Sequence, residues 1–169
     1  EIVAGFSITL AAYDGGSVEN VTLLGSADLN ATGTSASNKL VGNAGVNILD
    51  GGGGVDALFG AAGNDVYIVD NAGDTIDEEG STDTADEVRS SVSVELAILG
   101  GGAIENVLLT GTASIDASGS AASNVIIGNS ARNMLDGSGG SDTLIGGAGN
   151  DIYIVDNLSD VVDEQKNSD

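Results

Sequence analysis

A nine-residue period governs this chain. Gly42-Asn43-Ala44-Gly45-Val46-Asn47-Ile48-Leu49-Asp50 is followed without a gap by Gly51–Phe59 and Gly60–Ile68, and the set returns from Gly128, Gly137 and Gly146. The first residue of each copy is Gly, the sixth is Asp or Asn, and the eighth is large and apolar: Leu49, Leu58, Tyr67, Leu135, Leu144 and Tyr153. Imperfect copies start at Gly33 and Gly119, with Asn38 and Asn124 in sixth place. Glycine at this density excludes an α-helix. Six residues rich in Gly and Asp instead turn the chain and reach positive φ. Three residues around one apolar side chain make a short strand. Two such turn-and-strand segments close one flattened coil, and successive coils stack as parallel strands about 4.8 Å apart. The expected fold is therefore an all-β parallel solenoid. Its eighth-position side chains point inward, with Leu40, Leu58 and Ile76 in one row and Leu49 and Tyr67 in the other; Leu135, Leu144 and Tyr153 are expected to be buried likewise.

A longer repeat contains the short one. Shifted by 86 residues, the chain matches itself without a gap, residues 1–83 on 87–169. Glu19-Asn20-Val21 returns as Glu105-Asn106-Val107, and Tyr67-Ile68-Val69-Asp70-Asn71 as Tyr153-Ile154-Val155-Asp156-Asn157. An ungapped duplication means that loop lengths matter, as they do when each coil rests on the previous one. Two units are read, 1–83 and 84–169. Residues 2–24 and 88–110 carry alternating segments such as Phe6-Ser7-Ile8-Thr9-Leu10 and Val92-Ser93-Val94-Glu95-Leu96, which continue the solenoid with wider turns; residues 79–87 read as a surface loop joining the units. The chain begins at Glu1 and is expected to be excised from something longer.

Charge sharpens the reading. There are 26 acidic and 4 basic residues, a net charge of -22, yet 41% of residues are hydrophobic. Such a chain can bury apolar surface, but its carboxylates need neutralising. A hard cation with oxygen ligands, Ca²⁺ above all, would do so; a merely soluble acidic surface is the alternative, and composition leaves both open. Without His or Cys there is no imidazole or thiolate metal site and no Ser-His or Cys-His nucleophile pair. Lys39, Arg89, Arg132 and Lys166 are scattered, so there is no patch for nucleic acid, and anionic membranes should repel the chain. No apolar run is long enough to span a membrane, and membrane insertion is not expected. Lack of Cys fits an extracellular protein that uses metal rather than disulfides, although cytosolic proteins also lack disulfides.

The nonapeptides resemble the hemolysin-type calcium-binding repeats of the RTX (repeats-in-toxin) family, best at Gly51–Phe59, Gly60–Ile68, Gly137–Ile145 and Gly146–Ile154. The 86-residue unit looks like the long repeats of large secreted bacterial proteins of that family. The resemblance implies a right-handed parallel β-roll in which several Ca²⁺ ions sit between turns of neighbouring coils. Sixth-position side chains and glycine-turn carbonyls would hold them. Carried onto this sequence, Asn38 pairs with Asp56, Asp56 with Asp74, and Asn47 with Asp65. In the second unit Asn124 pairs with Asp142, Asp142 with Asp160, and Asn133 with Asp151. Carbonyls would come from Gly51, Gly53, Gly60, Ala62, Gly137, Gly139, Gly146 and Ala148. Asn at the Asp position lowers ligand charge and weakens the outer sites. Asp50, Asp136, Asp77-Glu78 and Asp163-Glu164 read as solvated strand ends, and Tyr67 and Tyr153 as core residues.

The resemblance further implies a secreted, calcium-dependent folding module at the surface of a Gram-negative bacterium, exported by type I secretion. It would belong to an adhesin, surface-layer or toxin-like protein, touching neighbouring repeats and extracellular polysaccharide or a cell surface. The alternative is a C-terminal tail module of an extracellular protease, lipase or alginate epimerase. Catalysis by the fragment itself is not expected. A solenoid lyase would need a basic constellation, but Lys39 has Val125 at its equivalent position and Arg132 has Val46. No pair of acids stands apart from the repeats as a glycosidase pair would.

Overall fold

The computed structural model describes residues 1–13, 17–78, 80, 82–100 and 103–164, and separates them into two units, Glu1–Asp86 and Glu87–Asp169. Each unit is a stack of parallel coils. In the first, the strands in chain order are β1 (Ile2–Ala4), β2 (Ile8–Thr9), β3 (Asn20–Leu23), β4 (Asn30–Thr34), β5 (Lys39–Val41), β6 (Ile48–Gly52), β7 (Ala57–Phe59), β8 (Val66–Val69) and β9 (Thr75–Asp77). Odd strands pair side by side as β1-β3-β5-β7-β9, and even ones as β2-β4-β6-β8. The second unit follows the same scheme with β10 (Glu87–Ser90), β11 (Val94–Glu95), β12 (Asn106–Leu109), β13 (Ala117–Ser118), β14 (Val125–Ile127), β15 (Met134–Asp136), β16 (Thr143–Ile145), β17 (Ile152–Ile154) and β18 (Val161–Asp163). Here β10-β12-β14-β16-β18 and β11-β13-β15-β17 form the two faces.

The register follows the nonapeptide arithmetic. Leu40 lies beside Leu58 and Leu58 beside Ile76, while Leu49 lies beside Tyr67. In the second unit Ile126 lies beside Leu144, and Leu135 beside Tyr153. A strand alternates its side chains between two faces. One residue of each three-residue strand therefore faces the interior, and Leu40, Leu49, Leu58, Tyr67, Leu135 and Leu144 are all buried. Each Leu removed from water in this way stabilises the coil by about 1.5–3 kcal/mol. Tyr153 differs from the expectation and is half-buried. Tyr67 is covered by Glu78, whereas Glu164, the counterpart of Glu78, is exposed.

The wider coils absorb their extra residues as helical turns. Ile8 pairs with Ala31 and Val94 with Ala117, a longer step than in the nonapeptide coils. A 3-10 turn at Leu10–Ala12 and an α-turn at Leu96–Leu99 follow the short strands, where the alternating pattern predicts continuous strand. Leu10 and Leu96 are fully buried. A helical turn shortens the path and lets one Leu plug the coil, which an extended segment of the same length could not do.

Candidate metal centres

The sixth residue of a nonapeptide precedes the inward eighth by two, so in extended chain both side chains turn to the same side. The structure uses this to line the interior of the turns with carboxylates and carboxamides. Asn38, Asn47, Asp56, Asp65, Asp74, Asn124, Asn133 and Asp142 are buried; Asp151 and Asp160 are half-buried. Each carboxylate accepts a hydrogen bond from the backbone N–H of the equivalent residue one coil earlier. Asn38 N donates to Asp56 Oδ1 at 2.7 Å, and Asp56 N to Asp74 Oδ1 at 2.9 Å. Asn47 N donates to Asp65 Oδ1 at 2.7 Å. In the second unit Asn124 N donates to Asp142 Oδ1 at 2.8 Å, Asp142 N to Asp160 Oδ1 at 3.0 Å, and Asn133 N to Asp151 Oδ1 at 2.8 Å.

Asn and Asp at this place build two different turns. In the Asn turns the side-chain oxygen accepts from the second residue of its own nonapeptide: Thr34 N, Asn43 N, Ser120 N and Asn129 N, at 2.7, 2.8, 2.8 and 2.9 Å. The Asn amide donates to the coil before, on Glu19 O, Leu29 O, Glu105 O and Ile115 O. The second residue's own side chain then caps the fourth residue's N–H, as with Thr34 on Ala36, Asn43 on Gly45, Ser120 on Ala122 and Asn129 on Ala131. These are short Asx- and Ser/Thr-type turns. Both the oxygen and the amide nitrogen of each Asn side chain are engaged within the protein.

The Asp turns are inverted. Their second residues adopt left-handed φ (Gly52 75°, Ala61 74°, Ser138 61°, Gly147 79°), as do their fourth residues Gly54, Gly63, Gly140 and Gly149. The second N–H is directed outward, so that Gly52 N bonds to Asp50 Oδ1 at 3.0 Å and Ser138 N to Asp136 Oδ1 at 2.9 Å. Asp50 and Asp136, read as solvated strand ends, are instead half-buried turn acceptors. A carboxylate has no donor to offer the coil before. Asp56 Oδ2, Asp65 Oδ2, Asp142 Oδ2 and Asp151 Oδ2 consequently lie inside the protein with no hydrogen-bond partner. Left-handed φ at Ala61 and Ser138 costs on the order of 1–3 kcal/mol each, so strain and orphaned oxygens coincide in the same turns.

The first-position glycines Gly51, Gly60, Gly137 and Gly146 are buried under these oxygens. A Cβ on each would collide with the Oδ2 of Asp56, Asp65, Asp142 and Asp151 respectively. Third-position Gly53, Gly139 and Ala148 are half-buried on the turn, and Ala62 is exposed. Burial pushes the Asp56 carboxyl up to about 6 and the Asp65 carboxyl to about 7, with smaller contributions from nearby Asp74 and Asp86. Burial raises Asp142 as well. Backbone N–H groups of Asp142, Asn157 and Asp156 hold Asp160 below its usual value. Lys39 lies over the Phe59 ring, 4.6 Å from its centroid, and Arg89 pairs with Glu87. Orphaned carboxylate oxygens and oxygen-only donors fit a hard divalent cation such as Ca²⁺.

One acidic cluster was not visible as such in the repeat pattern. Asp65, Glu78 and Asp86 are buried with ligand atoms all within 4.8 Å of one another. Glu78 corrects its reading as a solvated strand end, and Asp86 corrects its reading as part of a surface loop; residues 79 and 81 of that loop lie outside the described residues. Asp65 N donates to Asp86 Oδ1 at 2.7 Å, so Asp86 continues the ladder of sixth-position acceptors after three inserted residues. The signal was present: Asp86-Glu87-Val88 repeats the Asp-x-apolar spacing of Asp65-Val66-Tyr67.

Residues 32–67 and 118–153, which span all eight turns described above, match the RTX calcium-binding nonapeptide repeat in four copies. No curated protein matches the chain.

Proposed function

The chain carries the repeats of the RTX calcium-binding family and is a calcium-binding module; from that premise we propose that calcium decides whether it folds. The observation that carries this reading is the set of four Asp Oδ2 atoms that are buried without a partner. Bound Ca²⁺ supplies the positive charge and the oxygen coordination that these turns otherwise lack. Asp56, Asp65, Asp142 and Asp151 would hold it, with carbonyls of the Gly-rich turns. Without it, stacked carboxylates such as Asp56 and Asp74 repel across one strand spacing. At ~5 Å and an effective dielectric of ~20, each such pair costs about 3 kcal/mol. Several such pairs rival the ~5–15 kcal/mol stability of an ordinary domain.

Extracellular calcium modules have dissociation constants on the order of 10⁻⁴–10⁻³ M. At millimolar Ca²⁺ and the tight end of that range, each site stabilises the folded chain by about 1.4 kcal/mol. Four such sites contribute ~6 kcal/mol, enough to move the balance from coil to solenoid. A cell interior holds far less calcium. The module would stay unfolded there, in a form suited to export through a channel, and would fold outside as part of a secreted adhesin, surface-layer or toxin-like bacterial protein. Catalysis is not part of this reading. The test is the far-ultraviolet circular dichroism of the purified chain after dialysis against a chelator. The expected result is a coil spectrum that returns to β on adding millimolar Ca²⁺. A β spectrum that persists in chelator, with an unchanged melting temperature, would end the proposal.

A further inference from the structure

We propose that the ion at Asp65 is held by three carboxylates, those of Asp65, Glu78 and Asp86, and is bound more tightly than the ions at Asp56, Asp142 and Asp151. This rests on the reading of the chain as a calcium binder. Three observations carry it. The ligand atoms of the three side chains lie within 4.8 Å of one another, close enough for one ion to touch all of them. The side chains are 0%, 3% and 1% exposed, so water does not screen their mutual repulsion. Asp65 spends Oδ1 on Asn47 N, and its Oδ2 has no hydrogen-bond partner.

The chain builds this site by breaking its own repeat. Glu78 follows Gly60 by the length of one coil, so it brings a carboxylate to a place where the nonapeptides have a bare glycine. Asp86 arrives three residues later than the period requires and still accepts from Asp65 N. The Tyr67 hydroxyl donates to Glu78 Oε1 and orients it from the core side. Three carboxylates in one shell give more ligand charge than a turn with one or two, and ligand charge is what tightens calcium sites. Oxygen-only donors of this kind select Ca²⁺ or a lanthanide over zinc or copper. Among the described residues this is the single cluster of its kind; Glu164, the counterpart of Glu78, is exposed.

The experiment is calcium titration by calorimetry on the whole 169-residue chain, comparing it with E78Q/D86N and with E164Q. The double variant should bind one ion fewer, and the ion lost should be the tightest; E164Q should titrate like the parent. Terbium luminescence excited through tyrosine gives a second readout. Tyr67→Phe should remove most of the emission that appears with the first equivalent of Tb³⁺. Should the double variant fail to fold, E78Q alone, which keeps the size and the contact with Tyr67, should weaken the tightest ion at least about tenfold. A parent that binds calcium, with E78Q or E78Q/D86N matching it in ion number and affinity, overturns this site and leaves the wider reading standing. A parent that binds no calcium overturns both.

Discussion

The Asn turns and the Asp turns occupy equivalent places in successive coils, carry side chains of the same size, and solve the same problem in opposite ways. Around Asn38, Asn47, Asn124 and Asn133 the carboxamide bonds backward to the previous coil and inward to its own turn, and the turn closes on protein groups alone. Around Asp56, Asp65, Asp142 and Asp151 the second peptide is inverted, its N–H faces away, and one carboxylate oxygen is left buried and unmatched. A difference of one atom, amide nitrogen against carboxylate oxygen, separates a turn complete in itself from one that needs a cation. Each matched segment begins with the Asn type and continues with the Asp type. Self-sufficient turns thus stand next to cation-requiring ones within the same stack.

The largest test of this contrast is chelation combined with amide hydrogen exchange. Removing calcium should abolish protection throughout the coils of Asp56, Asp65, Asp142 and Asp151, a loss on the scale of the whole domain stability of ~5–15 kcal/mol. Any protection that survives should be confined to the coils of Asn38, Asn47, Asn124 and Asn133. Protection that survives in the Asp coils as well as or better than in the Asn coils would break the comparison.

Acidification in chelator comes next. The Asp56 and Asp65 carboxyls rise to about 6 and about 7 in the fold, above the value of an unfolded chain near 3.9. A carboxyl raised by folding binds its proton more tightly in the folded state. Its contribution to stability is complete below about pH 4 and lost as pH climbs through 6 to 7. Calcium-free chain should accordingly regain β structure when taken from pH 8 to pH 4.5, while chain in millimolar calcium should show no such gain. Circular dichroism at fixed temperature across that range reads both.

Single substitutions give smaller effects. Asn47→Asp removes the amide that donates to Leu29 O and places an unmatched oxygen beside it. It should cost ~1–3 kcal/mol in the calcium-loaded chain. Gly54→Ala forces a side chain onto a φ of 120° against the backbone of Ala36, for a loss of ~1–3 kcal/mol. The reciprocal Ala36→Gly, in an Asn turn of ordinary φ, should cost no more than ~1 kcal/mol. Urea denaturation of the calcium-loaded variants measures each. At the bottom of the scale, Asp77→Ala and Asp163→Ala, on exposed strand ends, should leave calcium affinity within twofold of the parent by calorimetry, whereas Asp56→Ala and Asp142→Ala should weaken it well beyond that.

Much of this was legible in the sequence, for a local reason. Periodicity is a one-dimensional property, and a solenoid converts it directly into stacking, because each coil meets only its neighbours. The rows Leu40–Leu58–Ile76 and Leu49–Tyr67 follow from counting, as does the superposition of Asn38 on Asp56 and of Asn133 on Asp151. The two turn types were also encoded, in the polar second residues Thr34, Asn43, Ser120 and Asn129 and in the fourth-position glycines Gly54, Gly63, Gly140 and Gly149. That code is readable only once one knows that the second N–H either reaches the sixth side chain or turns away from it. Segments outside the period were harder. Leu10 and Leu96 looked like parts of strands and are helical plugs, because the space they fill is defined by a coil folded elsewhere.

The sequence by itself determined the coil length, the inward rows and the oxygen-only chemistry, since all three depend on which residue types recur and how far apart. Tertiary structure alone decided which acids are buried together. Nothing local distinguishes Glu78 from Asp77, and the Asp-x-apolar spacing that marks Asp86 as a sixth-position residue does not say that it meets Glu78. They enter the interior because the backbone of Asp65 offers an N–H there and the Tyr67 hydroxyl reaches across to Glu78. Burial of a charge is a property of everything packed around it, and no spacing along the chain can state that before the coils are stacked.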